Sequence, residues 1–154
     1  MYLRYAKIRE AAITPRRSHP TDAGIDFYVP KDFNGGVLAS VEPGGSILIN
    51  SGIKVEIPFG FMGIFCNKSG VASKKNLVLG AHVIDTFYDG EVIINLHNIG
   101  NEIVFIEPGE KIVQLVLVPV VCSGVTEVNE SELYTDFKLS EYRGAKGFGA
   151  TDKT

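Results

Sequence analysis

Asp85 stands inside an apolar run, Gly80-Ala81-His82-Val83-Ile84-Asp85-Thr86-Phe87-Tyr88-Asp89-Gly90-Glu91, and Tyr88 follows it three residues later. In a strand of period two, Val83 and Asp85 share one face and Ile84 takes the other. A carboxylate on an apolar face costs desolvation unless something uses or satisfies it. Such an acid can activate a water by accepting its proton; it can equally start a turn around Asp89-Gly90. Gln114 is a second polar residue in a strongly apolar run, Lys111-Ile112-Val113-Gln114-Leu115-Val116-Leu117-Val118, and needs a partner there: a bound ligand or a buried backbone group. Asp26 follows the turn signal Thr21-Asp22-Ala23-Gly24 and reads as either a turn acid or a functional carboxylate.

The elements that must position these residues are mostly strands. Ser46-Ile47-Leu48-Ile49-Asn50, Gly63-Ile64-Phe65-Cys66, Glu91-Val92-Ile93-Ile94-Asn95-Leu96 and Lys111 to Val118 are rich in β-branched and aromatic residues. Punctuation recurs at Glu42-Pro43-Gly44-Gly45, Ile57-Pro58-Phe59-Gly60, Asn98-Ile99-Gly100-Asn101 and Glu107-Pro108-Gly109-Glu110. With 17 glycines and 7 prolines in 154 residues, the pattern predicts one all-β domain, a sandwich, jelly roll or barrel. One short helix is expected from Ser69 to Lys75, with Ser69 as its cap. The tail from Ser140 onward has little to bury: Gly144, Gly147 and Gly149 lie among Lys, Arg and Asp.

A formal net charge of −3 argues against a general nucleic-acid binder, since no basic excess exists to neutralise phosphates. No run reaches the roughly 18 apolar residues of a membrane helix. Cys66 and Cys122 are far apart, each beside apolar residues, and read as small buried thiols in a reducing compartment. Together with the lack of a signal-like N-terminal stretch, this gives a cytoplasmic expectation. His97 is expected to be a satisfied strand residue, His19 a loop residue and the Lys74-Lys75 pair a solvated face. Residues 123–140 bridge the last strand to the tail.

Five segments, in order and across nearly the whole chain, resemble the homotrimeric dUTPase family. They are Ala23-Gly24-Ile25-Asp26-Phe27-Tyr28, Lys68-Ser69-Gly70-Val71-Ala72, the segment from Gly80 through Tyr88-Asp89-Gly90, Pro108-Gly109-Glu110-Lys111-Ile112-Val113-Gln114-Leu115, and Arg143-Gly144-Ala145-Lys146-Gly147-Phe148-Gly149-Ala150-Thr151. The resemblance implies an all-β, jelly-roll-like or distorted-barrel fold with one short helix, a homotrimer, and active sites at subunit interfaces. It implies a β domain over 1–139 and a flexible glycine-rich lid over 140–154.

The resemblance also assigns roles. Asp85 is the general base that activates water for in-line attack on the α-phosphorus of dUTP, giving dUMP and pyrophosphate. Tyr88 packs on the deoxyribose and leaves no room for a 2′-hydroxyl. Asp26 holds Mg²⁺ through metal-bound water, in keeping with the reluctance of magnesium to shed its hydration shell. Lys68, Ser69, the Gly70 amide and Gln114 meet phosphate oxygens. Gly80, His82 and Ile84 belong to the hairpin that reads the base through backbone groups. Arg143 clamps the terminal phosphate, Phe148 stacks on the base, and Gly147 and Gly149 let the lid approach. The implied partners are dUTP and two further copies of the chain, with no nucleic acid and no membrane.

The chain departs from the family pattern in places. Lys68 replaces an arginine and lacks its bidentate fork; His82 replaces a glycine in the base hairpin. Phe87, Lys146 and Ala150 replace an acid, a glycine and a serine. These departures keep two alternatives open: a pyrophosphatase for dCTP or a modified pyrimidine, and a non-catalytic nucleotide-binding regulatory trimer. Ala81-His82 also resembles the sister dCTP deaminases, but Asn95 stands where they need a catalytic glutamate, and an amide cannot shuttle the proton. A purely structural trimer would leave Arg143 and Phe148 without employment.

Overall fold

The computed structural model describes residues 3–135. Its strands run in order β1 (Arg4–Lys7), β2 (Ile25–Tyr28), β3 (Ala39–Val41), β4 (Ser46–Asn50), β5 (Ile53–Glu56), β6 (Phe61–Asn67), β7 (Leu77–Leu79), β8 (Val83–Ile84), β9 (Ile93–Asn98), β10 (Val104–Ile106) and β11 (Lys111–Pro119). One α-helix, α1 (Ser69–Lys75), interrupts them between β6 and β7. All pairings are antiparallel. A four-stranded sheet runs β2-β11-β6-β8, a three-stranded sheet runs β4-β9-β7, and two pairs, β1-β5 and β10-β3, complete the β structure.

The expected strands all form, with β4 at the expected bounds and β9 displaced two residues toward the C-terminus. Helix α1 also has the expected bounds, but Lys68 is its N-cap and no side chain caps it, so Ser69 does not serve that purpose. The helix stops because Asn76 adopts the left-handed conformation at φ 51°.

The core lies between the sheets. β2 is buried along its whole length, and Phe27 meets Phe65 of β6 edge-on at 5.1 Å between ring centroids. Ile49, Ile94, Leu96, Ile106, Ile112, Val113 and Leu115 are all fully buried. β9 shows the clean alternation of a strand with one solvated face: Ile94, Leu96 and Asn98 point inward, while Ile93, Asn95 and His97 do not.

The chain divides into two compact units, one reaching Cys122 and the other beginning at Ser123. The described part of the second unit is mostly exposed, and its short 3₁₀ turn Glu130–Glu132 is closed by reciprocal bonds between Asn129 and Glu132. Arg143, Gly147, Phe148 and Gly149, expected to belong to a lid, lie outside the described residues, as does the division expected at 139/140. No helix among the described residues is long and apolar enough to cross a membrane.

Two further expectations fail. Cys122 is exposed and Cys66 only half-buried; both are free thiols, and Val121 beside Cys122 is itself open to solvent. Lys75 is not simply solvated: it pairs with Glu110 at 2.7 Å and donates to the Phe105 carbonyl at 3.0 Å.

Candidate active site

The central sheet builds the phosphate-side cluster. Asp26 on β2 and Gln114 on β11 are cross-strand partners, so their side chains share a face. Gln114 donates from Nε2 to the Asn67 carbonyl at 3.0 Å, so the backbone alternative describes this structure. Its amide oxygen lies over Gly24, where a Cβ would come within 2.0 Å; only glycine leaves room for it.

Asp26 is buried, and both of its carboxylate oxygens are taken. Lys68 donates to Oδ1, while Ser18 Oγ (2.8 Å) and Lys111 Nζ (3.1 Å) meet Oδ2. Burial by itself pushes this carboxyl up. The bonds from Lys68, Ser18 and Lys111, with the Lys68 charge, outweigh it and hold Asp26 below the ordinary carboxylate value.

Lys111 and Ser18 were not foreseen. By simple counting back from the Gln114–Asp26 pair, Lys111 would oppose Val29 and sit on the opposite face. A register shift between Lys111 and Val113 pairs Lys111 with Tyr28 instead, which brings it onto the face of Asp26. The Pro-Gly-Glu turn ahead of β11 is the one sequence signal for such an irregularity.

Lys68 therefore joins two structures, as ion partner of Asp26 and N-cap of α1. It lines a cleft of about 420 Å³ with Ser69, Gly70, Lys74, Lys75 and Gln114. Within it Ser69 and Gly70 are exposed, and Lys68, Lys74 and Lys75 supply three ammonium groups against one acid, Glu110. The balance favours an anion.

The Asp85 segment is built differently. β8 has two residues, held to β6 by the Gly63–Ile84 and Ile64–Val83 pairs. Ile84 is buried, so only its backbone is available to a ligand. Val83 and Asp85 share the other face, as the period requires, but that face is exposed, and the expected desolvation of Asp85 does not arise in the single chain. The Asp85 carboxylate has no hydrogen bond or ion pair among the described residues. Its carbonyl accepts the Tyr88 amide at 3.2 Å, closing a turn in which Phe87 takes φ 67°. Tyr88 donates its hydroxyl to the Glu91 carbonyl at 3.0 Å.

Asp85 and Tyr88 do not line the cleft of Lys68. Asp85 borders an apolar cleft of about 380 Å³ with Phe59, Phe61, Met62, Phe87 and Cys122. Tyr88 borders another, of about 600 Å³, with Tyr5, Ile57 and Phe59. Gly80 and His82 lie in the β7–β8 link, with His82 exposed and its Nδ1 at 3.0 Å from the Gly80 carbonyl. One chain thus gathers Asp26, Lys68, Ser69, Gly70 and Gln114, and holds Asp85, Tyr88 and His82 apart from them.

The residues around Asp26 do not fit a magnesium ion ligated directly by the protein. Two ammonium groups and a hydroxyl already occupy the carboxylate, and no group of three His, Cys, Asp or Glu side chains that could hold a metal exists among the described residues.

A β fold with a lysine-lined cleft and a separate unpaired carboxylate suits an anion-binding protein. Comparison with known proteins narrows the class. The family model described as dUTPase matches residues 10–152, and the chain belongs to that family. It is 36% identical over 152 residues to the deoxyuridine 5′-triphosphate nucleotidohydrolase of Corynebacterium jeikeium, covering 97% of this chain and 92% of that protein. It is 32% identical to the human mitochondrial deoxyuridine 5′-triphosphate nucleotidohydrolase, covering 99% of this chain and 56% of that protein. Among solved structures, the Staphylococcus bacteriophage 80alpha dUTPase with dUPNHPP matches with a TM-score of 0.80 at 29% identity, covering 97% of this chain and 98% of that one. A mutant dUTPase from phage phi11 of S. aureus, described as coordinating a structural Mg(II) ion, matches with a TM-score of 0.74 at 28% identity, covering 86% of this chain and 99% of that one. The jelly-roll-like all-β fold with one short helix is that of these proteins.

Proposed function

We propose that this chain is a dUTP pyrophosphatase, hydrolysing dUTP to dUMP and pyrophosphate, and that Asp85 is its general base. The observation that carries the catalytic assignment is the contrast between two acids: Asp26 is fully engaged, whereas the Asp85 carboxylate is exposed and unpaired. A base must be free to accept a proton from a water within hydrogen-bond reach. The water oxygen forms the new bond to the α-phosphorus, its proton passes to Asp85, and the bond to the α,β-bridging oxygen breaks as pyrophosphate leaves.

Lys68, Ser69 and Gly70 serve the triphosphate, and Ser69 suits this because its side chain makes no capping bond. Gln114 joins them by exchanging its Asn67 carbonyl for a phosphate oxygen. Tyr88, already oriented by Glu91, stacks on the deoxyribose, and the Leu79 to Val83 link, with Gly80, His82 and Ile84, receives the base. Arg143 and Phe148 close over phosphate and base, with Gly147 and Gly149 giving the tail its freedom. Magnesium enters bound to triphosphate oxygens, and Asp26, whose oxygens already take Lys68, Lys111 and Ser18, would meet it only through metal-bound water at its remaining acceptor site. The reaction is placed in the cytoplasm.

The working unit is a homotrimer whose sites are shared. Support comes from the separation of Asp85 and Tyr88 from the Lys68 cleft within one chain. Mixing two inactive variants, Asp85→Asn and Gln114→Ala, through unfolding and refolding together regenerates activity if each site draws on different subunits. No recovery in the mixture refutes the sharing.

The decisive assay is pyrophosphate release from dUTP, dCTP, dTTP and UTP, each offered separately. Turnover is expected with dUTP alone, and Asp85→Asn should lower it about 10³-fold. Turnover of dCTP instead would move the assignment to another pyrimidine and point to His82. Binding of dUTP without pyrophosphate release would make the protein a nucleotide-binding regulator.

A further inference from the structure

Gly80 is pressed against β9 so closely that a Cβ there would lie 1.8 Å from Asn95 Oδ1 and 2.5 Å from His97 Nε2. The contact is a bonded one. The Gly80 amide donates to the Asn95 carbonyl at 3.0 Å, and the Ala81 amide donates to Asn95 Oδ1 at 3.1 Å. That oxygen also faces His97 Nε2 at 3.3 Å. Since the Ala81 amide can only donate, Oδ1 is an acceptor, and His97 meets it with its proton on Nε2.

The link is therefore held from two directions. Asn67 Oδ1 accepts the Leu79 amide at 2.9 Å, and the His82 carbonyl accepts the Phe65 amide at 2.8 Å. Asn95 supplies the bonds between those two anchors. Nothing else among the described residues receives the Ala81 amide. An apolar side chain at position 95 would leave that amide free to rotate, along with the His82 ring that leans on the Gly80 carbonyl.

We propose that Asn95, backed by His97, is a positioning residue for substrate binding: its side-chain oxygen fixes the Gly80–Ala81 peptide and so sets the shape of the surface offered to a pyrimidine base. The inference rests on the reading of the Leu79 to Val83 link as the base-contacting segment. Asn95 touches neither the base nor Asp85, and acts through the backbone alone. A backbone surface held at three points matters for binding because a misplacement of about 1 Å in a positioning element can cost up to about 10²-fold.

The test compares Asn95→Leu, which keeps the bulk and loses the acceptor, with Asn95→Asp, which restores an oxygen at the same reach. Asn95→Leu should raise KM for dUTP about tenfold and leave kcat within about threefold, because Ile84 still anchors Asp85 to the core. Asn95→Asp should return KM to within about twofold of the parent. An unchanged KM in Asn95→Leu, or no recovery in Asn95→Asp, overturns the proposal. Should Asn95→Leu fail to fold, amide exchange at Ala81 in the unaltered protein decides: slow exchange upholds the bond to Asn95, and exchange at the rate of an open loop removes it. The exchange measurement needs no substrate. If the protein fails to turn over dUTP, the activity assignment falls while the anchoring of Ala81 is still judged on its own.

Discussion

Asp26 and Asp85 lie at opposite extremes of how a protein can hold a carboxylate. Asp26 sits on β2, buried along its whole length, with three donors on its two oxygens. Asp85 follows a strand of two residues, on an exposed face, with no side-chain partner among the described residues. The difference teaches where rigidity is spent. The lysine cleft is assembled inside one chain and held by charge, so it is preorganised for anions before any ligand arrives. The Asp85 segment is positioned by the short β8–β6 pairing, by buried Ile84, by Thr86 Oγ1 donating to the Phe61 carbonyl at 2.7 Å and by a turn, while the carboxylate itself is left without a partner among the described residues and keeps the freedom a base requires. A chain whose two halves were equally locked would leave no carboxylate to accept a proton.

The largest effect is expected at the locked half. Asp26→Ala leaves Lys68 and Lys111 facing each other with their common acid gone; because both lysines reach solvent, the cost in urea unfolding should be about 1–3 kcal/mol. A loss below about 1 kcal/mol would mean that the cluster is solvated and the contrast with Asp85 false. The same cluster sets a smaller, pH-dependent effect. The carboxyl of Asp26 is held below its unfolded value, so its contribution is fully present above the unfolded value of about 3.9 and is lost as pH falls through the folded one. Unfolding midpoints measured from pH 6 downward should therefore decline in the parent below about pH 4, and decline less steeply in Asp26→Asn. Equal slopes would remove Asp26 as a source of acid sensitivity.

The same contrast governs what could be read from the sequence. The strands were legible because β-branched runs between Pro-Gly turns leave few alternatives, and helix α1 because Ser69 reads as a cap at its start, although Lys68 takes the N-cap position. The grouping of Lys68, Ser69 and Gly70 was legible as contiguous sequence. The partnership of Lys111 with Asp26 was not, because it depends on a one-residue register shift in β11 that alternation cannot predict. Nor was the commitment of Asp26 to lysines: an acid in a turn-and-strand segment looks the same whether it meets a cation from the protein or one brought by a ligand. His97 was expected to be a satisfied strand residue, and it is, through Asn95. The exposure of Cys122 was hidden because its apolar neighbours say nothing about whether a covering surface exists within the chain.

The smallest expected effect sharpens the loose half. Phe87 adopts φ 67° with 86% of its surface exposed, a conformation that costs a residue with a Cβ roughly 1–2 kcal/mol and that glycine adopts freely. Little packing in the single chain offsets that cost. Phe87→Gly should therefore relieve the strain, and part of the gain should be lost to the greater chain entropy of glycine in the unfolded state. The net expectation is a rise in stability of up to about 1 kcal/mol by urea unfolding, with turnover of dUTP reduced because the turn between Asp85 and Tyr88 loses its fixed shape. Strain retained at an exposed aromatic beside the proposed general base is the pattern of a segment shaped for something that touches it. If Phe87→Gly destabilised the protein by 1 kcal/mol or more at subunit concentrations that keep the chains apart, the Phe87 ring would be packing within the chain, and the Asp85 segment would be as firmly built as the Asp26 cluster.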